Sequence, residues 1–218
     1  MELKNTLTFL KDLKANNNRD WFDVNRKTYE ACRKDFIELV GQVIEGIAEF
    51  ESDLSGIDPK KCIFRINRDI RFSKDKTPYK TNFGALMGAN GKKTDGVGFY
   101  LHISPGQTFA GGGMYMPAAD KLAAIRQEID YNPETLEQLI NSNNFKNTFG
   151  KIQGNQLKTA PKGYPKDHKN IELLRYKSFY VVKEYGDKEI KSDGFLEELL
   201  STYKKAHEFN KYLKDAIN

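Results

Sequence analysis

The spacing of apolar residues changes twice along this chain, and that change constrains the fold more than any other feature. Up to Phe50, large apolar side chains recur every three or four residues, the period of an amphipathic helix. Between Cys62 and Met116 they alternate with polar residues, the period of a half-buried strand. From Pro117 onward the helical spacing returns, broken by one strand-like run at Phe179–Lys183. A block of strands set between blocks of helices differs from the regular strand–helix–strand order that builds a parallel sheet. The pattern therefore predicts an α+β fold, with a mainly antiparallel sheet of about four to six strands flanked by N-terminal and C-terminal helices.

In more detail, a short helix capped by Thr6 carries Leu7, Phe9, Leu10 and Leu13 and stops at Asn16-Asn17-Asn18. One long helix is expected from about Asp20 to Phe50, with Tyr29, Phe36, Val40, Val43, Ile44 and Ile47 on its apolar stripe. Strands are expected at Cys62–Phe72, Thr81–Met87, Gly98–Ser104 and Thr108–Met116. Helices follow from Pro117, from Asn132-Pro133 and around Ile171–Arg175, with a final one capped by Asp193. Phe145–Lys169, with its glycines and prolines, reads as loop with one possible hairpin.

A chain of 218 residues suits one domain covering its whole length. Its 14 Phe and 11 Tyr supply the large apolar side chains that disordered segments lack. No run approaches the roughly 18 apolar residues of a membrane span, and the opening Met1-Glu2-Leu3-Lys4 has no apolar signal segment. Cys32 and Cys62 make neither a disulfide framework nor a C-x-x-C pair. A reduced, cytoplasmic protein without a membrane partner is expected.

The formal net charge of +5 is concentrated. Lys60, Lys61, Arg65, Arg68, Arg71, Lys74, Lys76 and Lys80 face only Asp69 and Asp75, which leaves the remainder of the chain slightly acidic. A local surplus of this kind suits an anion site better than a surface coated along its length by nucleic acid. Guanidinium forks match carboxylate or phosphate oxygens bidentately, and ammonium groups add mobile point charges. The candidate anion-binding set is Arg65, Arg68, Arg71, Lys74, Lys76, Tyr79 and Lys80, joined by Tyr100 from a neighbouring strand. The bland alternative is a solvated face on which Asp69 and Asp75 pair with basic neighbours. Arg68 falls among apolar alternates, so it must meet a carboxylate, reach an edge or sit at a bulge.

His102 shares the polar face of its strand with Tyr100 and is the candidate acid–base group, should the site be catalytic. His168 lies in a loop and His207 on the last helix. Other chemistries are not spelled out. Gly88–Thr94 lacks phosphate-loop spacing and precedes a strand, Gly111-Gly112-Gly113 lacks the dinucleotide pattern, and no G-x-S-x-G elbow occurs. The three glycines suit close strand packing or a bulge. Scattered His and Cys do not form a zinc pattern, and neither a metal nor a cofactor is expected.

The Arg65–Lys80 block, with Asn17-Asn18-Arg19-Asp20-Trp21-Phe22 before it and Phe99–Pro105 and Gly112–Pro117 after it, resembles a bacterial family known as domain of unknown function 2461. The resemblance continues through Pro161–Tyr164 and Leu174–Lys177. It implies one α+β domain and no established activity, substrate or cofactor.

Two functions are carried forward, with a non-catalytic structural or interaction protein as a third. One is a pocket for a phosphorylated or carboxylated small molecule. The other is a nucleic-acid-binding module using residues 60–80, with Tyr79 for stacking. Alternation places Phe64 and Phe72 on the core face, which counts against the second.

Overall fold

The computed structural model describes residues Leu3 to Asn218. It is an α+β structure with helices at both ends of the described chain and four strands forming one antiparallel sheet in the order β1-β2-β3-β4.

Helix α1 (Leu3–Ala15) buries Leu3, Leu7, Leu10 and Leu13, and Thr6 lies inside it rather than capping it. The expected long helix is two: α2 (Arg19–Val24) and α3 (Arg26–Ala48). Asn25 makes the break. Its side-chain amide donates to the Trp21 carbonyl at 2.8 Å, and its own N–H turns back to Asp23 and Trp21. A short amide side chain that competes for backbone partners in this way favours a helix end. Asn18 caps α2 by accepting from the Trp21 N–H at 2.9 Å.

Cys62, expected to open a strand, instead ends α4 (Pro59–Cys62), whose N-cap Asp58 accepts from the Lys60 N–H. Strand β1 (Phe83–Met87) follows a long irregular stretch, then β2 (Gly98–Ile103) and β3 (Thr108–Met114). The chain next forms α5 (Ala119–Tyr131), α6 (Pro133–Asn141) and α7 (Asn143–Phe149). Helix α7 lies where loop was expected. Ser142 caps it by accepting from the Phe145 N–H, and Phe145 and Phe149, one turn apart, are both buried. The remaining elements are α8 (Ile171–Leu174), β4 (Phe179–Tyr185) and α9 (Phe195–Ile217).

The chain divides into two compact units. The first comprises residues up to Lys93, Tyr100–Ala110 and Glu184–Leu200. Its core joins α1 to α3 and α3 to β1, where the Phe36 and Phe83 rings stack 5.3 Å apart. The second comprises Thr94–Phe99, Gly111–Lys183 and Ser201–Asn218. Here Phe99 meets the edge of Tyr203 at 5.6 Å, and α9 adds Ala206, Phe209 and Leu213, all fully buried. Full burial of a side chain such as Phe209 or Leu213 contributes about 1.5–3 kcal/mol. Arg126 on α5 donates to the carbonyls of Leu174 and Tyr176, which ties α5 to α8. The β3 glycines serve close strand packing: a Cβ on Gly111 would lie 1.8 Å from the Val181 carbonyl oxygen, and Gly113 adopts φ +131°.

Among the described residues, no helix is long and apolar enough to cross a membrane.

Candidate functional site

The basic segment does not form the strand expected at Cys62–Phe72. Residues from Ile63 to Arg68 run antiparallel to those from Pro78 to Ala85, through bridges Ile63↔Ala85 and Asn67↔Tyr79 and the bonds Phe64 N–H to Gly84 O, Lys80 N–H to Ile66 O and Arg68 N–H to Pro78 O. Between the two bridges the returning strand holds two more residues than its partner. The ladder is therefore bulged around Thr81-Asn82, and bulges re-aim the side chains they carry.

Beyond Arg68 the chain leaves the sheet in a loop, residues 69–77, that bonds mostly to itself. Arg68, its side chain 25% exposed, pairs with Asp75 at 2.5 Å and also donates to the Thr77 carbonyl and hydroxyl. Of the three outcomes open to Arg68, it takes the carboxylate. Asp75 also accepts from the Thr77 N–H and hydroxyl, and these bonds with Arg68 hold its carboxyl down to about 2. Arg71 grips Asp69 bidentately, and Lys76 donates to the carbonyls of Ile70 and Arg71. Lys74 is exposed. Phe72, expected in the core, is 96% exposed, because it belongs to this loop and not to a strand. Tyr79, expected to be available for ligand stacking, is buried against Phe22.

The other candidates meet on the half-buried face of the sheet. Tyr100 and His102 project from β2 on the side opposite the buried Phe99, Leu101 and Ile103. The His102 ring stacks on Phe109 of β3, 4.6 Å between centroids and 6° between planes. Its Nδ1 lies 3.3 Å from the Tyr100 hydroxyl and 3.5 Å from the amide nitrogen of Asn82, the residue turned inward by the bulge. Gly84 leaves room for this hydroxyl, since a Cβ there would lie 2.8 Å from it. Burial lowers the pKa of His102, keeping the imidazole neutral, and raises Tyr100 to about 12, keeping the phenol protonated.

Phe64 reaches the same cluster, its ring 6.4 Å from that of Tyr100, and the Lys80 ammonium sits 5.4 Å over Phe64. The Lys80 pKa is lowered by burial first and by the charge of Arg65 second. Among the described residues neither Arg65 nor Lys80 makes an ion pair. The eight-residue candidate set thus separates. Lys80, with Arg65 close enough to act on it, lies with the Tyr100–His102 cluster. Arg68, Arg71, Lys74 and Lys76 belong to the loop, and Tyr79 to the core. Sequence reasoning missed Asn82 and Phe109. Phe109 was legible as an alternate of its strand, whereas Asn82 depends on a bulge that residue spacing does not announce.

A family model for a conserved hypothetical protein matches residues 5–212. The chain belongs to the DUF2461 family. No curated protein and no solved structure matches it. The match contains both the loop and the sheet-face cluster, so each is part of the DUF2461 domain and neither is an addition to it.

Elsewhere in this DUF2461 chain, His168 is tied at both nitrogens: Nε2 lies 2.9 Å from Asp130, and Nδ1 accepts from the Asn170 N–H. That arrangement pins a loop to α5 and leaves no ring nitrogen for a ligand. A depression of about 520 Å³ lies along Leu3–Asn5, Gln42 and residues 190–197, and none of the basic segment lines it. Among the described residues, no group of three or more His, Cys, Asp or Glu side chains is placed to hold a metal ion.

Proposed function

We propose that this protein binds a phosphorylated or carboxylated small molecule at the sheet-face cluster, with Lys80 and Arg65 meeting its anionic group. The observation that carries this reading is Lys80 itself: a partly desolvated ammonium over Phe64, within reach of the Arg65 charge and with no ion pair among the described residues. An anion there would relieve both the repulsion and the lost hydration of Lys80. Phe64, Tyr100 and Phe109 would pack a flat apolar part of the ligand, with Asn82 and the neutral His102 offering polar contacts. If a reaction follows, His102 is the group suited to move a proton. The two free, buried thiols support the reducing, cytoplasmic setting expected for such a ligand.

The test uses phenyl phosphate and benzoate as aromatic anion probes, titrated by calorimetry and by NMR of the His102 ring. Arg65→Ala removes a charge-assisted contact worth roughly 1.5–3 kcal/mol, so affinity should fall about 10- to 150-fold. Lys80→Ala should fall similarly. If neither probe shifts the His102 signals, or if both variants bind as the parent does, the reading is wrong.

A further inference from the structure

We infer that the loop spanning residues 69–77 is a docking surface for single-stranded nucleic acid, with Phe72 as a base-stacking platform. This does not rest on the ligand site just proposed, because it is carried by different residues.

The loop is braced from within. Arg68 and Thr77 hold Asp75, Arg71 holds Asp69, Lys76 staples two carbonyls, and the Ser73 N–H closes a turn on Ile70. So much internal bonding fixes a shape before any partner arrives, which lowers the ordering cost of binding. What that shape presents is a phenylalanine ring 96% exposed, with the Arg71 guanidinium 5.9 Å from its centroid. A ring displayed this way gains nothing from folding and suits a partner.

Charge selects the kind of partner. Arg68, Arg71, Lys74 and Lys76 outnumber Asp69 and Asp75, and the surplus is carried by Lys74 and by Lys76, whose bonds are to neutral carbonyls. A polyanion fits. An aromatic ring flanked by cations is the combination that holds unpaired bases and their phosphates. A bilayer would need more apolar area than one ring supplies, and the flanking Arg71, Ser73 and Lys74 add none. The exposure of Phe72 removes, for this ring, the objection that the segment's aromatics face the core, as Tyr79 does.

The test is fluorescence anisotropy of the full chain with a labelled oligodeoxythymidylate of about 12 nucleotides, alongside co-sedimentation with vesicles rich in phosphatidylserine. Binding should weaken about 5- to 150-fold in Phe72→Leu, which keeps an apolar side chain but loses the stacking face. Phe72→Trp should retain binding, with its indole emission quenched on stacking. Lys74→Glu should weaken binding and flatten its salt dependence. With two phosphates engaged, parental affinity should fall about 7-fold between roughly 50 and 200 mM salt. The inference is overturned if no oligonucleotide binds at low salt, if Phe72→Leu binds as the parent does, or if the vesicles bind and the oligonucleotide does not.

Discussion

The ring of Tyr79 lies on that of Phe22, 4.0 Å between centroids and 16° between planes. This stack fastens the end of the basic segment to α2. The backbone is fastened there as well: the Asn17 side chain donates to the Tyr79 carbonyl at 2.9 Å and accepts from the Tyr79 N–H at 3.1 Å. The Asn-rich turn after α1 is thus a clasp on a residue 62 positions away.

Truncating the ring should cost more than removing the clasp. Tyr79→Ala should destabilise the protein by about 3–5 kcal/mol, as large-to-small changes in a core do. Asn17→Ala should cost about 1–3 kcal/mol by leaving two backbone groups without their partner. Urea denaturation curves of both variants check the order. If Tyr79→Ala proves nearly neutral, the basic segment is not anchored in the core.

Helices α1, α3, α5, α6 and α9 and strands β1 to β4 were legible because their apolar spacing reports one-sided burial, whereas the short helices α4 and α7 were missed. The segment after Cys62 misled because Ile66, Ile70 and Phe72 alternate by coincidence. Asp58 at the N-cap and Pro59 at the first position make Cys62 a helix end, and Arg68 turning to Asp75 ends the ladder where alternation would have carried it on. At the site, the shared placement of Tyr100 and His102 followed from strand period alone. That Phe64, from the opposite alternation to Arg65, is the side chain meeting Tyr100 required long-range pairing that one strand's pattern does not contain.

Strong acid should loosen the loop. The Asp75 carboxyl is held from its ordinary 3.8 down to about 2, first by the Thr77 N–H, then by the Thr77 hydroxyl and Arg68. A depressed carboxyl stabilises the fold above its unfolded value and loses that contribution as pH falls through the folded one. Protection from hydrogen exchange at residues 69–77, taken relative to the intrinsic amide rate at each pH, should therefore fall between about pH 4 and 2. Asp75→Asn should show fast exchange already at neutral pH and little further change.

His102 gives a second pH dependence in a milder range. Burial depresses its folded pKa below the ordinary 6.5, so its contribution is present above 6.5 and lost as pH falls through the folded value. Thermal midpoints should decline as pH drops below 6.5, and His102→Phe, which keeps a ring against Phe109, should flatten that decline. An unchanged slope in the variant would place the titrating group elsewhere.

Strand β3 should reject the smallest of side chains. Gly111→Ala would drive a methyl group into the Val181 carbonyl, and Gly113→Ala would add a strained φ to a 2.3 Å approach on the Phe179 carbonyl. Each should cost about 4 kcal/mol or more. Gly194→Ala, where nothing lies within 4 Å, should be neutral or stabilising by up to about 1 kcal/mol. Comparing thermal midpoints of the three variants tests the contrast.

The glycine run in β3 bears on how related sequences should be read. Gly111 and Gly113 are dictated by clearance between two backbones, so they would persist through any change of ligand or chemistry. Invariance there records geometry. Under the ligand reading proposed above, substitution patterns at Arg65, Lys80, Asn82 and His102 are where a change of specificity among family members would leave its trace.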